Sequence, residues 1–205
     1  MKLHISYNFA DLAQAIDVAK QTSEFADILG IGSLLMFKEG INAIRTFKTT
    51  FPDKDIFVEA KIVEKATEAV TLFAQAGANY VSVLAGTYHS TIKKAVDTAK
   101  TFDMKVCLDL LDSHSPGQSV VDAKTQGVYG IIMHRGPSSD ESFDLESEWP
   151  NVRDNTNLPV FIGGKIDEST FEQVIGLKPQ GVIIGSAITK AGNPAKMAQY
   201  FKSLI

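Results

Sequence analysis

The chain has a single cysteine, Cys107, and so no intramolecular disulfide is available to it. Flanked by Val106 and Leu108, that residue reads as a small buried hydrophobe in a strand, a usage that fits a reducing, cytoplasmic setting. No apolar run approaches the roughly 18 residues that a membrane span needs, and the opening Met1-Lys2-Leu3-His4-Ile5-Ser6-Tyr7 is too short and polar for a secretory signal. Basic excess is also missing. With a formal net charge of −4, the chain lacks the Lys and Arg surplus that a nucleic-acid surface requires, while a small anionic substrate remains compatible. There is no linker, low-complexity tract or long charge run, and 205 residues suit one domain, 1–205.

What the chain does have is a repeated phrase: a short apolar run that ends in a Gly or a polar residue, followed by an amphipathic stretch. The runs are 3–7, 28–31, 56–60, 80–84, 105–110, 129–133, 158–162 and 181–184. They show little alternation, as expected of strands buried on both faces. Helical spacing follows in Leu12/Ile16/Ala19, Ile41/Ile44/Phe47, Ala66/Val70/Phe73, Ile92/Ala95/Val96/Ala99 and Met197/Tyr200/Phe201/Leu204. The patterns near Val120 and Ala123 and over 143–152 are less periodic, and Gly77, Gly127 and Gly176 stand at expected helix stops. Eight strand–helix cycles of about 25 residues predict a single (β/α)8 TIM barrel, with an open flavodoxin-like sheet as the minor rival.

In such a barrel the chemistry sits at the carboxyl ends of the strands. Strands 7 and 8 run into Gly163-Gly164-Lys165 and Gly185-Ser186, the first leading to a helix expected near Glu168. Glycine lets backbone N–H groups converge on an anion, so the pair reads as a phosphate cup, the alternative being two tight turns. Strand 3 ends in Glu59-Ala60-Lys61-Ile62-Val63-Glu64. Glu59 and Lys61, two apart, are expected on the same side of the strand, with Glu64 close by. A barrel lysine needs carboxylate partners, and one so held could stabilise an enediolate; a structural salt bridge at the rim is the other reading. His134 ends strand 6 as a candidate acid–base group, and Asp109 ends strand 5 either as a ligand or as the charge that orients Lys61. His4, His89 and His114 show no metal spacing and read as ordinary polar positions, and Trp149 accompanies an acidic stretch, 140–148, read as a solvated face.

At these residues the sequence resembles the orotidine-monophosphate decarboxylase suprafamily, in the branch of 3-hexulose-6-phosphate synthase and 3-keto-L-gulonate-6-phosphate decarboxylase. The likeness spans nearly the whole chain, including Asp27-Ile28-Leu29-Gly30-Ile31-Gly32-Ser33, Ala76-Gly77-Ala78-Asn79-Tyr80 and Ile184-Gly185-Ser186-Ala187-Ile188-Thr189. The family signature Asp-x-Lys-x-x-Asp stands here as Glu59…Lys61…Glu64. The resemblance implies that Glu59 takes the metal-binding acidic position, Lys61 stabilises an enediolate, and Glu64 completes a charged network that in this family often reaches across a dimer interface. It further implies a phosphorylated sugar substrate, held with the help of Asn8, Arg135, Gly163, Gly164, Gly185 and Ser186, a Mg²⁺ cofactor and a homodimer. Three positions depart from the pattern: Asn8 replaces an Asp, Gly30 replaces a Glu that helps to hold the metal, and Pro137 replaces an Arg of the decarboxylase branch. The expected activity is therefore a lyase that adds formaldehyde to ribulose 5-phosphate, with the sugar-acid decarboxylase and a catalytically degenerate phosphosugar-binding protein as alternatives.

Overall fold

The computed structural model describes residues 1–134 and 145–205. In chain order its elements are β1 (Lys2–Tyr7), α1 (Leu12–Thr22), β2 (Ile28–Ile31), α2 (Ser33–Glu39), α3 (Ile41–Thr50), β3 (Asp55–Ile62), α4 (Ala66–Gln75), β4 (Tyr80–Leu84) and α5 (His89–Lys100). They continue with β5 (Lys105–Asp109), α6 (Pro116–Gln126), β6 (Gly130–His134), α7 (Leu145–Arg153), β7 (Val160–Gly163), α8 (Phe171–Gly176), β8 (Gly181–Ile184), α9 (Ser186–Thr189) and α10 (Pro194–Ser203). All neighbouring strands are parallel, and β8 pairs with β1 from Lys2↔Gly181 to Ile5↔Ile184, so the sheet closes into the expected barrel. No described helix is long and apolar enough to cross a membrane.

Each strand sorts its side chains by a period of two. Leu3, Ile5 and Tyr7, like Val81 and Val83 on β4 or Val106 and Leu108 on β5, face outward into the apolar layer under the helices. The inward positions make a second, separate layer of Ile28, Phe57, Tyr80, Cys107, Ile132, Phe161 and Ile183, one from each strand except β1. β1 contributes His4, whose ring lies 5.0 Å from that of Phe57. Above this layer the inward positions turn polar: Ser6, Glu59, Ser82, Asp109 and His134. The strands are thus buried on both faces, as expected, with a different environment on each.

Other differences have local causes. β3 runs to Ile62, past the expected end at 60, because its pairing with β4 shifts register between Val58 and Ile62. The connection from β2 holds two helices, split at Gly40 (φ +55), rather than one. After β7 the helix begins at Phe171, not near Glu168, because Asp167 Oδ1 accepts from the Ser169 and Thr170 N–H groups and holds a turn ahead of it. Gly77 and Gly127 do take positive φ at helix ends, but Gly176 is the last residue of α8 and the left-handed position falls to Lys178. The expected helix over 143–152 is observed as α7; residues 143 and 144, with most of the acidic stretch, lie outside the described residues.

Cys107 shows what the inner layer does to chemistry. It is fully buried, and burial, reinforced by the Asp109 charge, pushes its thiol well above the usual range. The native protein is expected to leave a thiol reagent such as dithionitrobenzoate unreacted, and the denaturant-unfolded chain to release one equivalent of thionitrobenzoate; native labelling at the unfolded rate would contradict the buried placement.

Candidate active site

The carboxyl ends of the strands surround a cleft of about 370 Å³ lined by Ser6, Asn8, Glu59, His134, Gly164, Lys165, Ile166, Ile183, Gly185, Ser186, Thr189 and Lys190. One end is formed where β7 and β8 run into their glycines, the place expected for the cup. Gly164 (φ +87) and Lys165 (φ +48) are both left-handed and fold the chain back at the top of β7. A Cβ on Gly163 would come within 3.1 Å of Ile183 Cβ, so the chain there passes close over β8. α9 starts at Ser186, and the first N–H groups of a helix have no intrahelical acceptor. Those amides and the ammonium groups of Lys165 and Lys190 give this end the positive potential an anion needs. Lys165 stands in the sequence beside the glycines of the strand-7 end, whereas Lys190, a surface lysine, carries no spacing signal of its own.

The other end holds two carboxylates, each facing basic groups. Asp109 is fully buried. Its Oδ2 lies 3.2 Å from His134 Nε2 and 3.5 Å from Lys61 Nζ, and its Oδ1 accepts from the Leu111 N–H at 3.1 Å. Lys61 reaches it through an unusual backbone. With φ +49 at the register shift of β3, the residue leaves strand geometry, and its N–H donates to Ser82 Oγ at 2.9 Å. Such a conformation costs about 1–3 kcal/mol in a non-glycine residue and is retained where the surroundings impose it. Glu59, two residues earlier, turns to β1 instead, with Oε1 3.3 Å from His4 Nε2. Burial raises the Glu59 pKa, but His4 foremost, then the Lys61 charge and the Ser6 hydroxyl, outweigh it and bring the group down to about 2.

Of the residues expected in the site, Glu59 and His134 line the cleft, and Lys61 joins His134 through Asp109. Asn8 lines it too, but its Oδ1 accepts from the Leu34 N–H at 2.8 Å and so caps α2. Glu64 is not brought to Lys61. It is exposed between Lys61 and Lys65 (φ +53), and no ion pair of the described residues includes it. Arg135 and Pro137 lie outside the described residues. His4, read as an ordinary polar position, is instead fully buried against Glu59. The signal was its place between outward Leu3 and Ile5, which turns it inward with Ser6. His114 and His89 lie away from the cleft, His89 pairing with Asp122.

The residues do not fit a divalent cation well. No group of three His, Cys, Asp or Glu among the described residues is disposed to hold a metal ion. Glu59, the expected ligand, has Oε1 buried against His4, and Gly30 brings no carboxylate beside it.

The model of the orotidine 5'-phosphate decarboxylase / HUMPS family matches residues 1–201. The chain belongs to that family. It is 29% identical over 213 residues to the 3-hexulose-6-phosphate synthase of Bacillus subtilis (strain 168), covering 100% of this chain and 99% of the relative. With the enzyme of that name from Mycobacterium gastri it shares 26% over 207 residues, with both chains covered fully. The solved 3-hexulose-6-phosphate synthase from Salmonella typhimurium superposes with a TM-score of 0.92 at 27% identity, over 100% of this chain and 98% of that one. The KGPDC from Streptococcus mutans shares the fold at 19% identity, with a TM-score of 0.90 over 98% and 95% of the two chains.

Because Glu59 titrates lower in the fold than its ordinary value of 4.5, its contribution to stability is complete above that value and is lost as the pH falls toward about 2. Urea unfolding of wild type and Glu59→Gln across that window is expected to show a steeper acid loss in the wild type, with the two curves converging at the acid end. Parallel curves would contradict the His4–Glu59 pairing.

Proposed function

We propose that this chain is a phosphosugar lyase of the 3-hexulose-6-phosphate synthase type, joining formaldehyde to ribulose 5-phosphate through an enediolate. The observation that carries the reading is the Lys61–Asp109–His134 cluster beside an anion-holding cup. In this reaction the phosphate sits against the amides of Ser186 and Gly164 with Lys165 and Lys190, which directs the C1–C2 end of the sugar toward His134 and Glu59. His134, its Nε2 engaged by Asp109, uses its other ring nitrogen to take the proton from C1. Lys61 faces the oxygen on C2 as negative charge builds there, and no solvent has to reorganise to meet it. The enediolate C1 then attacks the formaldehyde carbon, a C–C bond forms, and the formaldehyde oxygen takes up a proton, giving the hydroxymethyl group of the hexulose phosphate. The former C2 carbonyl becomes C3 of the product.

An intact proton-transfer group and an intact ammonium, held by one buried carboxylate, favour catalysis over a degenerate binding site. The pairing of the same groups also suits decarboxylation to that enediolate, and the product formed separates the two. We further propose a homodimer over the rim at β3 and β4, where Val63 and the 81%-exposed Tyr88 border one depression beside Glu64. Glu64, unpaired among the described residues of its own chain, would there meet the second copy. A cytoplasmic setting accords with the single reduced thiol.

Incubation with ribulose 5-phosphate and formaldehyde is expected to yield a hexulose phosphate, and Lys61→Ala or His134→Ala to lower kcat by about 10²–10⁴. No hexulose phosphate from the wild-type protein would contradict the proposal.

A further inference from the structure

Gly30 faces into the barrel from β2. A Cβ built on it would lie 2.0 Å from His4 Nε2, 2.8 Å from His4 Cδ2 and 2.7 Å from Glu59 Oε1. The ring could not simply swing aside, because His4 is fully buried and packs against Phe57. β1 and β2 pair with His4 opposite Ile28 and Ser6 opposite Gly30, so the imidazole reaches diagonally from its own position into the space over Gly30. His4, Gly30 and Glu59 are therefore one interlocked unit: a side chain on β2 would expel the imidazole from its place at Glu59.

A divalent cation needs what this unit removes. Mg²⁺ takes about six oxygen ligands at about 2.1 Å in near-octahedral geometry, usually with one or two carboxylates among them. Glu59 Oε1 is sealed from solvent with the imidazole 3.3 Å away. Asn8 Oδ1 is committed to the Leu34 N–H, and Asp109 Oδ2 faces Lys61 and His134. What would be left to an ion at this end of the cleft is one carboxylate edge, facing basic groups.

We infer that His4 stands beside Glu59 in place of a divalent cation, and that the reaction proposed above runs without one. His4 is a positioning residue: it touches Glu59 and not the substrate. The inference rests on the proposed reaction only where activity is read; ion binding tests it separately. Mn²⁺ titrated into the wild-type protein, with and without ribulose 5-phosphate, and followed by electron paramagnetic resonance, is expected to show no saturable site below about 1 mM. The condensation is expected to proceed unchanged in excess EDTA. A stoichiometric Mn²⁺ site, or activity lost in EDTA and restored by Mg²⁺, would overturn the inference. The double variant His4→Gln/Gly30→Glu clears the ring and adds a carboxylate, and its Mn²⁺ affinity is expected to rise at least about tenfold over wild type. A folded double variant with no gain would overturn the role given to His4. Should that variant not fold, the wild-type titration decides, and it does so even if no condensation is observed with any metal, a result that would sink the proposed reaction instead.

Discussion

A carboxylate sealed inside a protein is sustained only by the cations and donors around it, and Asp109 is such a carboxylate. The arrangement of the reacting end follows from satisfying it. Lys61 comes to within 3.5 Å only because β3 breaks register and Lys61 adopts a left-handed backbone, with Ser82 taking up the N–H that strand pairing would otherwise use. His134 is fixed from the last position of β6, next to β5 in the barrel, at 3.2 Å. Removing the carboxylate would leave two basic groups facing each other with nothing to orient them. Removing either base would leave a buried charge poorly compensated, and such losses cost about 3–5 kcal/mol.

Glu59 solves the same problem differently. Its partner is not a lysine from its own strand but an imidazole from β1, admitted by the absence of a side chain on β2. The two carboxylates thus draw on different strands, Glu59 on β1 and Asp109 on β3 and β6. The apolar layer beneath, from Ile28 round to Ile183, gives both a dry floor. At the far side of the cleft lie the first amides of α9 and two lysines, Lys165 and Lys190, facing the side that Glu59 and His134 line.

Much of this was legible in the residues alone. Eight apolar runs with helical spacing between them led to the barrel because both periodicities are local, and the glycines after strands 7 and 8 marked the cup because few other roles put glycine there twice. Lys61, Asp109 and His134 stood out as polar residues at strand ends. What stayed hidden depended on pairing across strands. Glu59 and Lys61 both reach inward groups, as alternation predicts, but the register shift at which Lys61 takes its left-handed backbone is a property of β3 against β4. Glu64 was expected near Lys61, but two left-handed residues, Lys61 and Lys65, put it on the surface. His4 looked ordinary because its meaning lies in Gly30, 26 positions on, and in Glu59, neither of them a sequence neighbour.

The most direct test of Asp109 as the group on which the reacting end depends is exchange of deuterium from solvent into C1 of ribulose 5-phosphate without formaldehyde, measured for wild type and Asp109→Asn. Steady exchange is expected of the wild type, and a loss of about 10²-fold or more in the variant, with phosphate-dependent binding of the sugar retained. Exchange at the wild-type rate in a folded Asp109→Asn protein would contradict it.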